Sequence, residues 1–271
     1  MKDNEVFTLS VQSTLDELAV LSIKSWLTLK YRVVIYSYEV IDESVFNLFR
    51  DENIEFKDAS TILTYPSKFE HYSEIADYFR FSRLEQEGGI WLDTDLVLLK
   101  RLPNNKIIIS SERCKLYGSC SPKDRLKTPN IVVLKFPPLH ELCSYIVNKI
   151  EKHANRGINQ VNQSTSHLIR IFQRRVIKYR NPYWNNVVEP DLFCPVNWAS
   201  VYDLYHCMDL KDENKFGMKQ NNADYILNNS IGIHLWRGYY YDRKYNYTKW
   251  EHSLYNKIKN LVELSYEIKA N

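Results

Sequence analysis

Strand patterns and helix patterns alternate along the first part of the chain. Residues 5–11 and 32–37 predict buried strands, and residues 54–57 predict a short third strand. A Thr-x-x-Glu capping box opens a helix predicted at 14–29, and an aspartate caps a second helix at 42–50. Such alternation is typical of a mostly parallel central sheet flanked by helices, so we predict an α/β fold.

The middle of the chain joins a long helix pattern directly to a strand pattern. Residues 72–87 repeat apolar side chains at helical spacing, and Gly88-Gly89 ends this helix because glycine accepts a left-handed conformation. Residues 90–99 are apolar except at Asp-Thr-Asp, and they predict one buried strand. Further strands are predicted at 107–110, 131–135 and 230–236, and further helices at 137–152, 162–178 and 250–268.

Composition narrows the class of protein. We expect a single domain over residues 1–271, with an aromatic-basic C-terminal segment at 236–271. A formal net charge of +3 gives no reason to expect a nucleic-acid partner. The sequence shows neither a leader-like apolar run nor a stretch of about 18 apolar residues. With five cysteines that lack metal-like spacing, the expected location is the cytoplasm.

Asp93 and Asp95 end the apolar run and carry the clearest chemical signal. In an extended chain they point to the same side, with Thr94 opposite. Two converging carboxylates repel each other unless a positive charge lies between them. Hard divalent cations such as Mg²⁺ and Mn²⁺ prefer oxygen ligands and are often shared with substrate phosphates. The segment therefore predicts a cation that holds a diphosphate beyond the end of a strand.

Three other interpretations of this segment stay open on spacing alone. Asp-x-Asp is often only a solvated turn. Residues 93–97 also fit the Asp-x-Asp-x-Thr/Val string of haloacid-dehalogenase phosphatases, although the sequence contains no later Asp-Asp or Gly-Asp pair. A glycoside hydrolase would use two carboxylates about 5–10 Å apart on either side of a sugar.

The residues that precede the aspartates favour a sugar-nucleotide site. Asp77 and Arg80 are three residues apart and therefore share one face of the predicted helix. The simplest account is an ion pair within the helix. The reversal at Gly88-Gly89, however, can return this helix beside the aspartate strand, where Arg80 would meet donor oxygens and Asp77 would accept sugar hydroxyls.

This string, from Asp77 through Arg80, Leu84, Gly88-Gly89 and Trp91 to Asp93 and Asp95, resembles the sugar-binding region of glycosyltransferase family 32. That family includes capsular polysaccharide enzymes, yeast mannosyltransferases and α-1,4-galactosyltransferases, and the string is distantly similar to the core of the clostridial glucosylating toxins. Trp91 stands where tyrosine is frequent in the family.

The resemblance implies a GT-A-type fold, a nucleotide-sugar donor, Mn²⁺ or Mg²⁺ as cofactor, and retention of anomeric configuration. Carried over, Asp95 binds the metal directly, and Asp93 holds the ribose and reaches the metal through water. Asp77 and Arg80 grip the transferred sugar as the catalytic pair.

A late strand adds His234 and Trp236, which share one side of it. An isolated histidine in an apolar strand is usually a core residue, but similar enzymes often end their catalytic domain with a histidine and a tryptophan near the metal. The Ser-Trp usual in that family is replaced here by Arg-Gly-Tyr-Tyr-Tyr. The predicted donor-binding set is Val11, Gln12, Asp77, Arg80, Asp93, Thr94 and Trp236, and the predicted metal set is Asp93, Asp95 and His234.

The function predicted from the sequence is a retaining hexosyltransferase that moves a sugar from a UDP-sugar to a glycan, glycolipid or lipid-linked acceptor in polysaccharide synthesis. The basic and aromatic residues of 236–250 suggest a peripheral contact with the cytosolic membrane face, the alternative being a solvated loop. Two other functions stay open: a toxin-like enzyme that modifies a host protein, and a non-catalytic protein that binds sugar nucleotides or glycans.

Overall fold

The structure is a computed structural model, and it describes residues 3–49, 53–69, 71–113, 127–154, 166–178, 183–198, 201–206, 223–240 and 253–270. Its strands are β1 (Glu5–Ser10), β2 (Arg32–Ser37), β3 (Ile54–Asp58), β4 (Gly89–Leu92), β5 (Leu96–Leu98), β6 (Ile108–Glu112), β7 (Thr128–Phe136) and β8 (Gly232–His234). Its α-helices are α1 (Glu17–Thr28), α2 (Glu43–Phe46), α3 (Tyr72–Glu87), α4 (Glu141–Ala154), α5 (Ser166–Lys178), α6 (Val201–His206), α7 (Ala223–Asn229), α8 (Arg237–Tyr240) and α9 (Leu254–Ala270).

A six-stranded sheet with the order β3-β2-β1-β4-β7-β6 forms the centre of the fold. Its β3, β2, β1 and β4 run parallel, whereas β7 is antiparallel to both β4 and β6. The short strands β5 and β8 form a separate antiparallel pair. The predicted α/β fold, with a mostly parallel sheet flanked by helices, is confirmed.

Both faces of the central sheet are covered. Successive residues of a strand point to opposite faces, so Phe7 and Leu9 of β1 pack with α3, α4 and α5, while Val6 packs on the other side with α1. The side chain of Trp26 in α1 is fully buried, and its indole Nε1 donates to the carbonyl oxygen of Leu96 at 2.8 Å. A third apolar cluster joins α1 to α6, α7, β8 and α9. The first helix thus connects the central sheet to the small strand pair.

Gly88 reverses the chain between α3 and β4. Its φ of 66° lies in the left-handed region, and its N–H donates to the carbonyl oxygen of Leu84 at 3.0 Å. A Cβ at this position would lie 2.5 Å from the backbone nitrogen of Pro138 and 2.8 Å from the carbonyl oxygen of Phe136. Glycine is therefore required both by conformation and by space. The helix end predicted from Gly88-Gly89 agrees with the structure.

The strand predicted at 90–99 is wrong, because the chain changes sheets in the middle of it. Strand β4 pairs with β7 in the central sheet, whereas β5 pairs with β8. Between them the N–H of Leu96 donates to the carbonyl oxygen of Asp93 at 3.0 Å, which closes a tight turn. Asp93 and Asp95 therefore converge through this turn and not through the alternation of an extended strand.

Two helix starts also differ from their predictions. Helix α1 is capped by Asp16, whose Oδ1 accepts from the N–H of Ala19 at 2.9 Å, and not by a capping box at residue 14. Helix α4 begins at Glu141 because Leu139 adopts a φ of 57° and donates its N–H to the carbonyl oxygen of Glu85, which is incompatible with a helical turn there. The second helix is reduced to the four residues of α2.

The described helices include none with both the length and the apolar composition needed to cross a membrane. The single domain over residues 1–271 stays a prediction.

Candidate functional site

A cavity of about 390 Å³ opens at the carboxyl ends of β1 and β4. This is the edge at which open α/β sheets bind ligands. One wall is formed by residues of the segment 8–16 and another by the N-terminal half of α3, including Arg80. Residues 91–95 form the floor together with Arg237. The cavity therefore lies where the Asp-Thr-Asp turn is exposed to ligand.

Asp93 and Asp95 line the cavity, and His234 lies next to them without lining it. Each offers one ligand atom, and these atoms all lie within 4.8 Å of one another. The pairing of β5 with β8 places Leu96 opposite His234, and the N–H of Leu235 donates to the carbonyl oxygen of Asp95 at 2.8 Å. His234 Nε2 lies 3.2 Å from Asp95 Oδ2. The small strand pair thus brings together residues 139 positions or more apart in sequence.

The three side chains of this cluster differ in how their surroundings shift their pKa values. Burial raises the pKa of Asp93, against the opposing effect of Arg80. Burial also acts to raise the pKa of Asp95, but the positive charges of His234 and Arg237 outweigh it and hold this pKa below its usual range. Burial acts to lower the pKa of His234, yet Asp95 outweighs it and raises that pKa well above its ordinary value. Without a metal, a proton on His234 balances Asp95; a cation bound there would displace it.

Arg80 is a buried hub beside Asp93. Its guanidinium Nη1 donates to the carbonyl oxygen of Ile131 at 2.6 Å and lies 3.2 Å from Asp93 Oδ1. The guanidinium also lies 4.5 Å from the ring centroid of Trp91, whose Nε1 donates to the same Asp93 oxygen at 2.7 Å. Arg80 and Trp91 therefore fix the orientation of Asp93 from one side and leave its other oxygen to a ligand.

Asp77 lies behind Arg80 and does not line the cavity. It is 1% exposed, and its Oδ1 lies 3.2 Å from Arg80 Nη2. Among the described residues, its Oδ2 has no hydrogen-bond partner. Burial raises the pKa of this carboxyl group to about 7, despite the nearby Arg80. Arg80 lines the cavity, and the contacts of Arg80 and Asp77 with the donor both stay predictions.

The remaining predicted donor residues divide into two groups. Val11, Gln12 and Thr94 line the cavity. Trp236 does not: its Nε1 donates to the carbonyl oxygen of Val196 at 2.9 Å, and its ring centroid lies 4.2 Å from that of His234. The structure therefore places Trp236 as a support for His234, and the predicted donor contact of Trp236 remains untested.

Sequence reasoning missed Asp16 and Arg237 as members of this site. Arg237 donates its backbone N–H to Asp95 Oδ2 at 2.7 Å, and its side chain pairs with Asp16. The sequence alone identified Arg237 only as one basic residue of the aromatic-basic segment. Residues 241–250 of that segment lie outside the described residues. Its position directly after His-x-Trp was the signal that could have identified it.

The chain was compared with curated proteins, solved structures and family models. No curated protein matches the sequence. Among solved structures, one described as "PaToxG Glycosyltransferase" is similar over 66% of this chain and 68% of its own length, with 16% identity and a TM-score of 0.47. Residues 16–114 match the family model described as the glycosyltransferase sugar-binding region containing a DXD motif. This segment contains Asp93 and Asp95, and it matches the DXD-containing sugar-binding region that the sequence resemblance predicted.

Proposed function

We propose that the protein is a metal-dependent, retaining glycosyltransferase of GT-A type that takes its sugar from a UDP-sugar. One observation carries the proposal: Asp93 and Asp95 line a cavity placed for a nucleotide and lie beside His234. Both aspartates belong to the segment that matches a sugar-binding region. We further propose a glycan or lipid-linked acceptor in polysaccharide synthesis, with the enzyme acting in the cytoplasm or at the cytosolic face of a membrane.

The ligand set fits a divalent cation. Two carboxylates and one imidazole offer both oxygen and nitrogen, whereas Mg²⁺ prefers oxygen ligands throughout. The presence of His234 therefore favours Mn²⁺ over Mg²⁺. When bound, the cation neutralises the charge that develops on the diphosphate leaving group. Asp93 and Asp95 are already oriented for this role by Arg80, Trp91 and the backbone of Arg237.

The residues that line the cavity suggest how the donor is oriented in it. Its wall at 8–16 follows β1, where nucleotide-binding sheets usually receive the base, so we place the nucleoside against Val11 and Gln12. The diphosphate then lies over the Asp-Thr-Asp turn. The sugar lies toward Arg80, whose planar guanidinium can bind sugar or phosphate oxygens while Asp77 holds it from behind.

Retention without a covalent intermediate is the mechanism that this side-chain arrangement supports. Among the described residues that line the cavity, the carboxylates are Asp16, Asp93 and Asp95. Each is already engaged: Asp16 with Arg237, Asp93 with Arg80, and Asp95 with His234. With all three committed to ion pairs, we propose attack by the acceptor on the face from which the diphosphate leaves.

A screen of nucleotide sugars for hydrolysis tests the proposal. The purified protein is incubated with UDP-, GDP-, ADP- and CMP-linked sugars in Mn²⁺, in Mg²⁺ and in excess EDTA, and the released nucleotide is measured. We expect turnover of one donor, faster with Mn²⁺ and abolished by EDTA. Donor binding without turnover, even with acceptor present, would favour the non-catalytic alternative, and full activity in EDTA would contradict the metal site.

Asp95→Asn provides the matching variant. The amide keeps an oxygen that can accept from the N–H of Arg237 but removes the charge that binds the cation. We expect turnover to fall by at least about a hundredfold, equal to about 2.7 kcal/mol. Asp224→Asn is the control, because Asp224 is exposed and pairs at the surface with Lys257. Equal activity of the Asp95 variant and the wild type would refute the assignment.

A further inference from the structure

Arg237 makes a set of contacts at the cavity that the metal site does not require. Its side chain lines the cavity, although the residue lies 142 positions after Asp95 in the chain. Side-chain exposure of 36% leaves it partly open to solvent. An arginine that served only to support the fold would be expected to face away from the ligand space. The side chain of Arg237 instead lines the cavity next to the Asp-Thr-Asp turn.

The guanidinium of Arg237 is held in one plane by the start of α1. Its Nε lies 3.0 Å from Asp16 Oδ2, and its Nη2 donates to Asp16 Oδ1 and to the carbonyl oxygen of Thr94, each at 3.2 Å. Nη2 thus makes the hydrogen bonds, whereas Nε lies within ion-pair distance of the carboxylate but makes no hydrogen bond among the described residues. In the described part of the chain, Nη1 makes no hydrogen bond, so this nitrogen remains available to a ligand.

The charges around the cavity indicate what that ligand is. Arg80 is engaged by Asp77 and Asp93, deep in the wall. Arg237 is the arginine beside Asp95, where a metal-bound anion would come to rest. A planar guanidinium matches the spacing of phosphate oxygens, and it suits them better than the hydroxyl groups of a sugar.

We propose, on the basis of the function proposed above, that Arg237 binds the diphosphate of the donor and that Asp16 is the positioning residue that orients its guanidinium. The backbone of Arg237 meanwhile holds Asp95, so one residue contacts both the metal ligand and the anion that the metal binds. Asp16 also caps α1 through the N–H of Ala19. The site is therefore assembled from two segments that lie 221 residues apart.

Arg237→Gln tests the first part of the proposal. Glutamine keeps the backbone N–H that holds Asp95 but removes the side-chain charge. Binding of UDP, GDP and their nucleosides is measured by titration calorimetry with saturating Mn²⁺, and Mn²⁺ affinity is measured separately by electron paramagnetic resonance. We expect affinity for the nucleoside diphosphate to fall at least about tenfold, equal to about 1.4 kcal/mol. Affinity for the nucleoside and for Mn²⁺ should not change, and Arg237→Lys should recover part of the loss.

Asp16→Asn tests the positioning role. Asparagine caps helices as well as aspartate does, so α1 should remain intact while the ion pair with Arg237 is lost. We expect diphosphate affinity to fall several-fold in this variant, and we expect no further loss when the change is added to Arg237→Gln. Additive losses in the double variant would refute the orienting role of Asp16, as would tighter binding by Asp16→Asn.

Arg32→Gln is the control for loss of one positive charge. Arg32 begins β2 at the opposite end of the sheet and pairs with Glu5 and Glu55, so diphosphate binding should be unchanged. A wild-type protein that binds no nucleoside diphosphate would overturn both the proposed function and this inference. Wild-type-like binding by Arg237→Gln would overturn the inference alone, and so would a parallel loss of Mn²⁺ and diphosphate affinity.

Discussion

Replacing Asp77 with asparagine should make the protein more stable at neutral pH. Asp77 is 1% exposed, its Oδ2 has no partner among the described residues, and burial raises its pKa from 3.8 to about 7. The carboxyl group is therefore protonated in the folded protein and ionised in the unfolded chain between about pH 4 and pH 7. Over this range the folded state binds more protons, so the free energy of unfolding falls as the pH rises.

The size of the effect follows from the width of that range. Each pH unit in which only the unfolded chain is ionised changes the free energy of unfolding by about 1.4 kcal/mol. Between pH 5 and pH 7 the wild type should therefore lose about 3 kcal/mol relative to Asp77→Asn, which lacks the titrating group. At about pH 4 and below, where the carboxyl group is largely neutral in both states, the two proteins should be similar, since a neutral carboxyl group and an amide have nearly the same shape.

Urea unfolding at pH 5, 6 and 7 measures this difference directly. Asp42→Asn is the matched control: Asp42 is exposed, its hydrogen bonds from Ser44 lower its pKa, and asparagine can replace it as a helix cap. This control should keep the pH dependence of the wild type. The reasoning is refuted if Asp77→Asn and the wild type keep a constant difference in unfolding free energy from pH 5 to pH 7.

Two further substitutions test the wall of the cavity and the turn that positions it. Arg80→Lys keeps the charge, but lysine cannot bind Ile131, Asp77 and Asp93 together. Turnover should therefore fall at least about tenfold, equal to about 1.4 kcal/mol. Because Arg80 is buried, the thermal unfolding temperature should also fall, and unchanged values of both would contradict the importance of these contacts. Gly88→Ala should destabilise the fold by at least about 2 kcal/mol, since the left-handed conformation alone costs about 1–2 kcal/mol and the added Cβ meets backbone at 2.5 Å. Gly238→Ala, where the added carbon meets nothing within 4 Å, should leave stability nearly unchanged, and equal effects of the two alanines would argue against the close approach at Gly88.

The local pattern of the sequence was enough to predict the central sheet. Alternation of strand patterns with helix patterns marked β1, β2 and β3, and Gly88-Gly89 marked the end of α3. These signals depend on neighbouring residues, which is why they can be identified without a structure. The resemblance likewise rests on one short segment, from Asp77 to Asp95, and the match to the DXD-containing sugar-binding region over residues 16–114 supports it.

Long-range pairing was what the sequence could not show. The apolar run 90–99 looks continuous, yet its two halves pair with β7 and with β8, which lie far apart in the chain. Arg237 looked like one more basic residue among tyrosines because Asp16, its partner, is 221 positions away. Trp236 shares a strand side with His234 in an extended chain, but its φ of 55° turns the backbone and its indole reaches Val196 instead.

The change of sheets at the Asp-Thr-Asp turn has a mechanical consequence. Asp93 extends from the last residue of β4 in the central sheet, whereas Asp95 and His234 belong to the small strand pair. A cation held by all three would add a crosslink between the two sheets, which also pack against each other in one apolar cluster. Cation binding should therefore resist separation of the sheets: at a hundred times its dissociation constant, a ligand specific for the folded state adds about 2.7 kcal/mol to the free energy of unfolding. The metal would then stabilise the fold as well as take part in the reaction.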